Sequence, residues 1–546
     1  MQTYDGQPQA ATYFTTDPEG LAVDLTYDGL TNEPVNAGSY AVIGTINDLI
    51  YQGSTTNTLT IQTSGAYNAW KREWFTTTEQ ANPAISGPEV YYDSDDFNNW
   101  QEYIAVTDPT DGQTFPTCQE ELTVANEFVL NWLSASNRTY SVHRTDDLMQ
   151  PFLALQTNIV WPQSSYTDQT AQVESFYQLD VQLPLCTLPV HTNATENSEI
   201  IGSSHVNQRY YFGTEDCLNE GANTLLAMGS KVIKVWYWNG YETPNNFYPW
   251  NSSWPASIAS LADGLNNTHY TDLFDKPFKT FVLNVASFVG GANPYYWRAN
   301  ITQAQIDQEE IEFYEFAKAL LQKYAGTGKT FILQHHEGDW HTRGNTNATI
   351  PAPAGVHERM VQWLNARQRG VTRAREEICA QDVFVYHAAE INIVLNSMNY
   401  GQPNMVNEVL PYTDLDLVSY SCYESCIGPA LGGDTEALRR AVLFIKRMMP
   451  DSAAFGSDNV YLGEYGIPGN DFTMAQVETV MTNTVTIGLE ENSPYIIYWQ
   501  LYDNELKDPD TPLPVTSNND VRGFWLVKPD GTKSWHYDYL KAVIEQ

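Results

Sequence analysis

The stretch VYLGEYG, Val460–Gly466, is apolar at most positions yet carries an acid, Glu464, near its end. A short run of this kind reads as a strand of a parallel sheet buried on both faces. A carboxylate there is costly to ionise unless hydrogen bonds or a chemical task justify it. Glu464 is therefore either a structurally bonded acid or a reactive one, and its surroundings decide.

Seven similar runs accompany it. In chain order the expected strands are YYFGT from Tyr210, KVIKVWYW from Lys231, KTFVLNVASF from Lys279, KTFILQHHEGDW from Lys329, DVFVYHAAEIN from Asp382, LDLVSYSCY from Leu415, VYLGEYG, and PYIIYWQLYDNE from Pro494. Amphipathic helices separate them. One places Ile306, Phe313, Ala317, Leu320 and Tyr324 on a single face, and another does so with Leu438, Val442, Ile445 and Met449. This alternation over residues 209–546 predicts a (β/α)8 TIM barrel, whose functional groups lie at the C-terminal ends of the strands.

Polar residues gather at those ends. Strand four ends in His335, His336, Glu337, Asp339 and Trp340; strand five in His387, Glu390 and Asn392; strand six in Tyr420 and Tyr423; strand seven in Glu464; strand eight in Trp499. Glutamates ending strands four and seven face each other across a barrel mouth. Two carboxyls about 5 to 5.5 Å apart can hydrolyse a glycoside with retention, one protonating the leaving oxygen while the other attacks the anomeric carbon. Trp236, Trp340 and Trp499 would stack on sugar faces, and Asp339 and Arg343 either contact sugar or form a loop ion pair. Glu390 is a rival acid, with a carboxylate that supports the site from behind or an acceptor for a substrate hydroxyl as the alternatives. His335, His336 and Glu337 do not read as a metal site, because adjacent strand residues point to opposite faces and no HExxH spacing occurs.

Through QHHEGDW, VYLGEYGIPG and IIYWQLYDNE the barrel half resembles clan A glycoside hydrolases, the group containing family 5 cellulases and mannanases. The resemblance implies Glu337 as acid/base, Glu464 as nucleophile and Trp499 as the floor of a sugar subsite. Where that group has Asn before its acid/base, this chain has His336. Tyr420 or Tyr423 is expected to hydrogen-bond Glu464, with Tyr465 and Gly466 shaping its turn.

Upstream the character is all-β. Residues 4–61 alternate apolar and polar positions between turn signals, indicating a small β-sandwich. The wording YDGQPQ, DPEGLAVDLTYDG, PVNAGSYAVIGTIND and TLTI closely resembles the MBG domain, an immunoglobulin-like module of bacterial surface and secreted proteins, assigned here to residues 1–66. YYDSDDFNNWQEYIAVTDPTDG, within residues 67–114, resembles the thrombospondin type 3-like calcium repeat of bacterial secreted proteins. That resemblance implies Asp93, Asp95, Asn99 and Glu102 as hard oxygen ligands for a structural Ca²⁺. Residues 115–186 read as a second β-sandwich and 187–208 as a linker.

The net charge of −38, from 66 acids against 28 bases, repels nucleic acid and anionic membranes and favours a neutral substrate. No run of about 18 apolar residues spans a membrane, and the N-terminal MQTYDGQPQ lacks the pattern of a secretory leader. Six scattered cysteines without CxxC suggest neither zinc nor a disulfide scaffold; Cys422 and Cys426 either bridge a loop or are two buried thiols. The expectation is a secreted or surface-attached bacterial endo-β-glycanase, acting on glucan, mannan or xylan and needing no cofactor for catalysis. The rivals are a non-catalytic carbohydrate-binding adhesin and a metal-dependent polysaccharide deacetylase. The two glutamates argue against the first; the second requires a His/Asp cluster not found in the sequence.

Overall fold

The computed structural model describes residues 2–546 apart from 4–7, 12–15, 17–20, 36–37, 49–50, 63–64, 81, 94, 116, 123–127, 136–137, 161, 171–174, 184–193, 240–243 and 292. Asn137 of the sequon Asn137-Arg138-Thr139, and Cys186, lie outside the described residues. The chain divides into two compact units, Met1–Cys186 and Thr187–Gln546.

In the first unit, Gln2–Thr3, Val23–Tyr27, Gly38–Ile46 and Ser54–Gln62 form one four-stranded sheet over a core of Tyr27, Val42, Leu59 and Ile61. Residues 65–105 then supply four short helices around the aromatic cluster Tyr67, Trp70, Phe75 and Tyr103. The third part is a sandwich of two three-stranded sheets, joined by Leu130 and Trp132 from one and Tyr140, Val142 and Ile159 from the other.

The second unit is a closed barrel of eight parallel strands: β1 Ile201–His205, β2 Val232–Asn239, β3 Thr280–Ala286, β4 Lys329–His335, β5 Val383–Ile391, β6 Leu417–Ser421, β7 Val460–Tyr465 and β8 Ile496–Tyr498. Each pairs with its sequence neighbour, and β1 closes on β8 through Ile201–Ile496. The first strand corrects the sequence reading, which put it at Tyr210 and made 187–208 a linker. IGSSH carries serines and a histidine, so it lacks the expected apolar run. Two of its polar groups find partners inside the wall, Ser203 donating to the Tyr498 carbonyl at 3.1 Å and His205 Nε2 bonding the Cys217 carbonyl at 2.9 Å, whereas Ser204 Oγ and His205 Nδ1 have none among the described residues. Tyr210 sits in a loop, buried, with its hydroxyl on the Val527 carbonyl at 2.7 Å. Cys422 and Cys426 are buried free thiols. No helix among the described residues is long and apolar enough to cross a membrane.

Outside β3 to β5 the helices Gln303–Lys323 and Val356–Ile378 pack together. Gly370 permits their closeness, since a Cβ there would lie 2.3 Å from the Glu310 carbonyl oxygen. Beneath the contact is a buried ion pair, Arg367 Nε to Glu309 Oε2 at 3.1 Å, and Glu309 Oε1 also accepts from Trp363 and Tyr296, each at 2.7 Å. Truncating one partner leaves the other charge buried, so Arg367→Ala should cost about 3–5 kcal/mol in urea unfolding. Arg439, in a more exposed ion-pair cluster, should cost under about 1 kcal/mol when truncated.

Candidate active site

Side-chain alternation divides the barrel interior into layers. Val232, Val282, Ile332, Tyr386, Leu417, Tyr461 and Ile497 belong to an apolar layer. The next inward positions toward the mouth are polar and buried: Lys234 on β2, Asn284 on β3, Gln334 on β4 and Ser419 on β6, with Glu390 on β5. The sequence reading passed over Lys234, although a lysine inside a strand expected to be buried on both faces was itself a signal.

Lys234 is the centre of the layer. Its Nζ lies 2.9 Å from Glu390 Oε2, 2.8 Å from Glu464 Oε1 and 3.2 Å from the Gly463 carbonyl. Burial opposes its charge, but the two carboxylates outweigh burial and raise its pKa above the ordinary lysine value. Glu390 is fully enclosed. Its Oε2 also accepts from Gln334 Nε2 at 2.9 Å and the Ser419 hydroxyl at 3.0 Å, and its Oε1 accepts the Glu337 N–H at 3.1 Å. Burial alone would raise its pKa, yet Lys234 and then His336 hold it below the usual glutamate value. Tyr461 donates to Gln334 Oε1, and Gln334 Nε2 also reaches Asn284 Oδ1 at 3.3 Å, so the amide orientations are fixed.

Glu464 differs from Glu390 in one decisive respect. Oε1 takes Lys234, whereas Oε2 accepts no hydrogen bond from the described residues. Burial, then the Glu390 carboxylate, push its pKa up to about 8 against the pull of Lys234. Its direction comes from a β-bulge: Tyr420 pairs with Leu462 but Ser421 pairs with Glu464, leaving Gly463 as the extra residue. A Cβ at Gly463 would lie 1.7 Å from Ser419 Oγ, so glycine is required there. Gly466, expected to shape the turn with Tyr465, is also a close approach, since a Cβ there would lie 2.6 Å from the Trp499 carbonyl oxygen.

Glu337 follows β4 at φ 46°, ψ 52°, a left-handed backbone that non-glycine residues adopt sparingly and that recurs at functional sites. It is half-buried, burial raises its pKa, and it lies within electrostatic reach of Glu464. His336 Nε2 stands 3.9 Å from Glu464 Oε1 and 4.0 Å from Glu390 Oε1. Its ring meets Trp236 edge-on at 5.1 Å, and Trp236 meets Trp499 at 5.8 Å, giving an aromatic lining. A cleft beside them is lined by Trp236, Asn284, Tyr295, His335, His341 and Trp363 among others. Trp340 is half-buried on the short helix Gly338–Arg343, and Tyr423 packs edge-on against Phe524 at 6.1 Å.

The expected site residues Asp339, Asn392, Tyr420 and Glu390 are all buried, and the side chains of three of them are engaged by protein groups. Asp339 is fully buried, its carboxylate accepting the N–H groups of Asn392 at 2.9 Å, Ile393 at 3.1 Å and Met405 at 2.9 Å. Asn392 is buried with it. Tyr420 turns its hydroxyl to Glu424 Oε1 at 3.1 Å and Ser425 Oγ at 3.0 Å, so Lys234 rather than this tyrosine holds Glu464. Glu390 spends its oxygens on Lys234 and its other protein donors. Arg343 is also buried; it donates to Asn404 and pairs with Asp339, Nη1 to Oδ1 at 3.5 Å, the loop ion pair that the sequence allowed.

Two acid–histidine groups here have donors within 4.8 Å of one another, His336 with Glu390 and Glu464, and His336 with Glu337 and His341. Neither suits a metal. The Lys234 ammonium already bridges the carboxylates of the first, and both His341 ring nitrogens are engaged, with His335 and Tyr295, each at 3.2 Å. In the first unit, Asp93, Asp95 and Glu102 also converge within 4.8 Å. Asp93 Oδ2, Asp95 Oδ2 and the fully buried Glu102 Oε2 have no hydrogen-bond partner among the described residues. Burial, then the two aspartates, push the Glu102 pKa up to about 8, so the residues fit a bound cation. Asn99 donates to the Ile85 and Gly87 carbonyls at 3.0 and 2.9 Å, while its buried Oδ1 is unpartnered among the described residues.

Residues 1–65 match the MBG domain family. No curated protein matches the chain. Similar solved structures include a calcium-binding mutant of Bacteroides uniformis β-glucuronidase 2, at 12% identity and TM-score 0.37, covering 79% of this chain and 50% of that one. A GH2 β-galacturonidase from Eisenbergiella tayi is 11% identical, with TM-score 0.35 and coverage of 79% and 71%. A Bacteroidetes-affiliated GH5 cellulase linked with a polysaccharide utilization locus is 14% identical, with TM-score 0.38 and coverage of 64% and 91%. The chain spans about half the length of the Bacteroides uniformis β-glucuronidase structures it matches.

The bulge yields a stability test. Gly463→Ala should cost about 1–3 kcal/mol in urea unfolding, as overpacked interiors do, and combining it with Ser419→Gly should recover part of that loss.

Proposed function

We propose that this chain is a retaining, endo-acting glycoside hydrolase that cleaves a neutral β-linked polysaccharide such as a β-glucan, mannan or xylan. The observation that carries the reading is the state of Glu464 at the barrel mouth: one oxygen anchored on Lys234, the other without a protein donor among the described residues. That is the arrangement a nucleophilic carboxylate needs, because a saturated one would have to break bonds before attacking.

In the first step, Glu464 Oε2 attacks the anomeric carbon as the glycosidic C–O bond breaks, and Glu337 gives its proton to the departing oxygen. Burial, which raises the Glu337 pKa, favours the protonated form that this step needs. In the second step Glu337 takes a proton from water, whose oxygen displaces Glu464 from the ester, so the product retains its anomeric configuration. Trp499 and Trp236 supply apolar faces for the sugar, and His336, Trp340 and Tyr423 supply the surrounding contacts. A carbohydrate-binding adhesin would have no use for a buried cation poised on one oxygen of a carboxylate.

The first unit is read as an accessory region of a secreted or surface-attached enzyme, stabilised by Ca²⁺ held by Asp93, Asp95 and Glu102, with Asn99 Oδ1 a further oxygen donor.

Glu464→Gln and Glu337→Gln should each retain the fold by circular dichroism and lose at least about a thousandfold in hydrolysis of the best substrate in a polysaccharide panel. Proton NMR of the first product formed should show the substrate's anomeric configuration. An inverted product, or near-normal turnover by Glu464→Gln, would sink the double-displacement assignment.

Ca²⁺ at millimolar concentration should raise the melting transition of the full chain relative to chelator, since an ion bound by the folded state stabilises it by mass action. Glu102→Gln should abolish the rise. Equal melting of wild type with and without Ca²⁺ would remove the cation from the reading.

A further inference from the structure

We infer that Glu390 is a positioning residue that competes with Glu464 for the single ammonium of Lys234, and so sets the pH at which the nucleophile becomes charged. The inference rests on the reading of Glu464 as nucleophile and deepens it by giving Glu390 and Lys234 a joint regulatory role.

The argument begins with charge. Lys234 contributes one positive charge, and it lies almost equally far from Glu390 Oε2 and Glu464 Oε1, at 2.9 and 2.8 Å. Two carboxylates cannot both be neutralised by it. Glu390 has further donors in Gln334, Ser419 and the Glu337 N–H, whereas Glu464 has Lys234 alone among the described side chains. Glu390 therefore ionises first and Glu464 bears the excess negative charge. Other groups facing Glu464 are His336 and Glu337 beyond β4, Tyr423 beyond β6 and Tyr461 on its own strand. His336 favours its ionisation when protonated, and the ionised Glu337 opposes it.

The arrangement has a chemical consequence. When Glu464 Oε2 forms the ester, its negative charge passes with the breaking glycosidic bond to the leaving oxygen, which Glu337 protonates. Lys234 and Glu390 are then left as a balanced pair, and the negative charge resides on Glu337, which has given up its proton.

The sign follows from linkage. Glu464 is needed as the carboxylate, and its pKa is raised, so activity is lost as pH falls through that raised value. Removing Glu390's charge gives Lys234 wholly to Glu464 and should lower the value. Removing Lys234's charge should raise it. A purely structural role for either residue would not move the limb in opposite directions.

The test is the acidic limb of kcat/KM against pH, measured on the polysaccharide that wild type hydrolyses best. Glu390→Gln should move the limb to lower pH by at least about one unit, a tenfold change in the ionisation constant. Lys234→Met should move it to higher pH, and Lys234→Arg should leave it near wild type. Should Lys234→Met fail to fold, Glu390→Gln and Glu390→Asp decide: the aspartate keeps the charge and should lie closer to wild type than the glutamine. An unmoved limb, or Glu390→Gln and Lys234→Met limbs displaced the same way, would overturn the inference. A second readout needs no activity: carboxyl ¹³C NMR of glutamate-labelled full chain, with the Glu464 signal assigned by its loss in Glu464→Gln. Opposite displacements there without any polysaccharide hydrolysis would sustain the charge competition and reject the glycosidase reading. Unmoved Glu464 titration in an active enzyme would do the reverse.

Discussion

A fully buried ammonium must be matched by negative charge, and the interior of this barrel is organised by that need at Lys234. The lysine projects from β2, and its partners come from β5 and β7. Three strands far apart in sequence are thereby held in one register at the level where the apolar interior gives way to the mouth. Gln334, Ser419 and the Glu337 backbone complete the coordination of Glu390, drawing β4 and β6 into the same network. Removing the cation would strand two acids in a dry interior, so the constraint is at once structural and chemical.

Much of this was legible in the chain, and the parts that were not share a physical cause. The apolar runs announced β2 to β8, and an acid at the end of VYLGEYG announced Glu464. The first strand escaped because IGSSH has no apolar run, and the bonds of Ser203 and His205 to residues outside it are a tertiary fact with no local trace. Asp339, Asn392 and Tyr420 were placed near the right strand ends, but nothing in a sequence fixes which way a side chain turns beyond the last strand residue. Asp339 turns inward to three N–H groups, and Tyr420 turns toward Glu424. Lys234 stood in plain view, and its meaning emerged only when two acids were seen to converge on it.

Glycine shows the same division between local and distant causes. Besides the expected turn residues Tyr465 and Gly466, a residue that precedes Glu464 aims the acid. Gly463 is required because Ser419 on the neighbouring strand occupies the space a side chain would need. A bulge of one residue thus converts a strand position that alternation would direct outward into one that serves the mouth.

The carboxylate of Asp339 has a wider consequence. By gathering the N–H groups of Asn392, Ile393 and Met405, it stitches the helix after β4 to the segments after β5. That side of the opening is consequently a braced wall, not a flap. Changes in what the opening admits should therefore arise in walls outside this knot, through altered loop length, while the stitched wall keeps its shape.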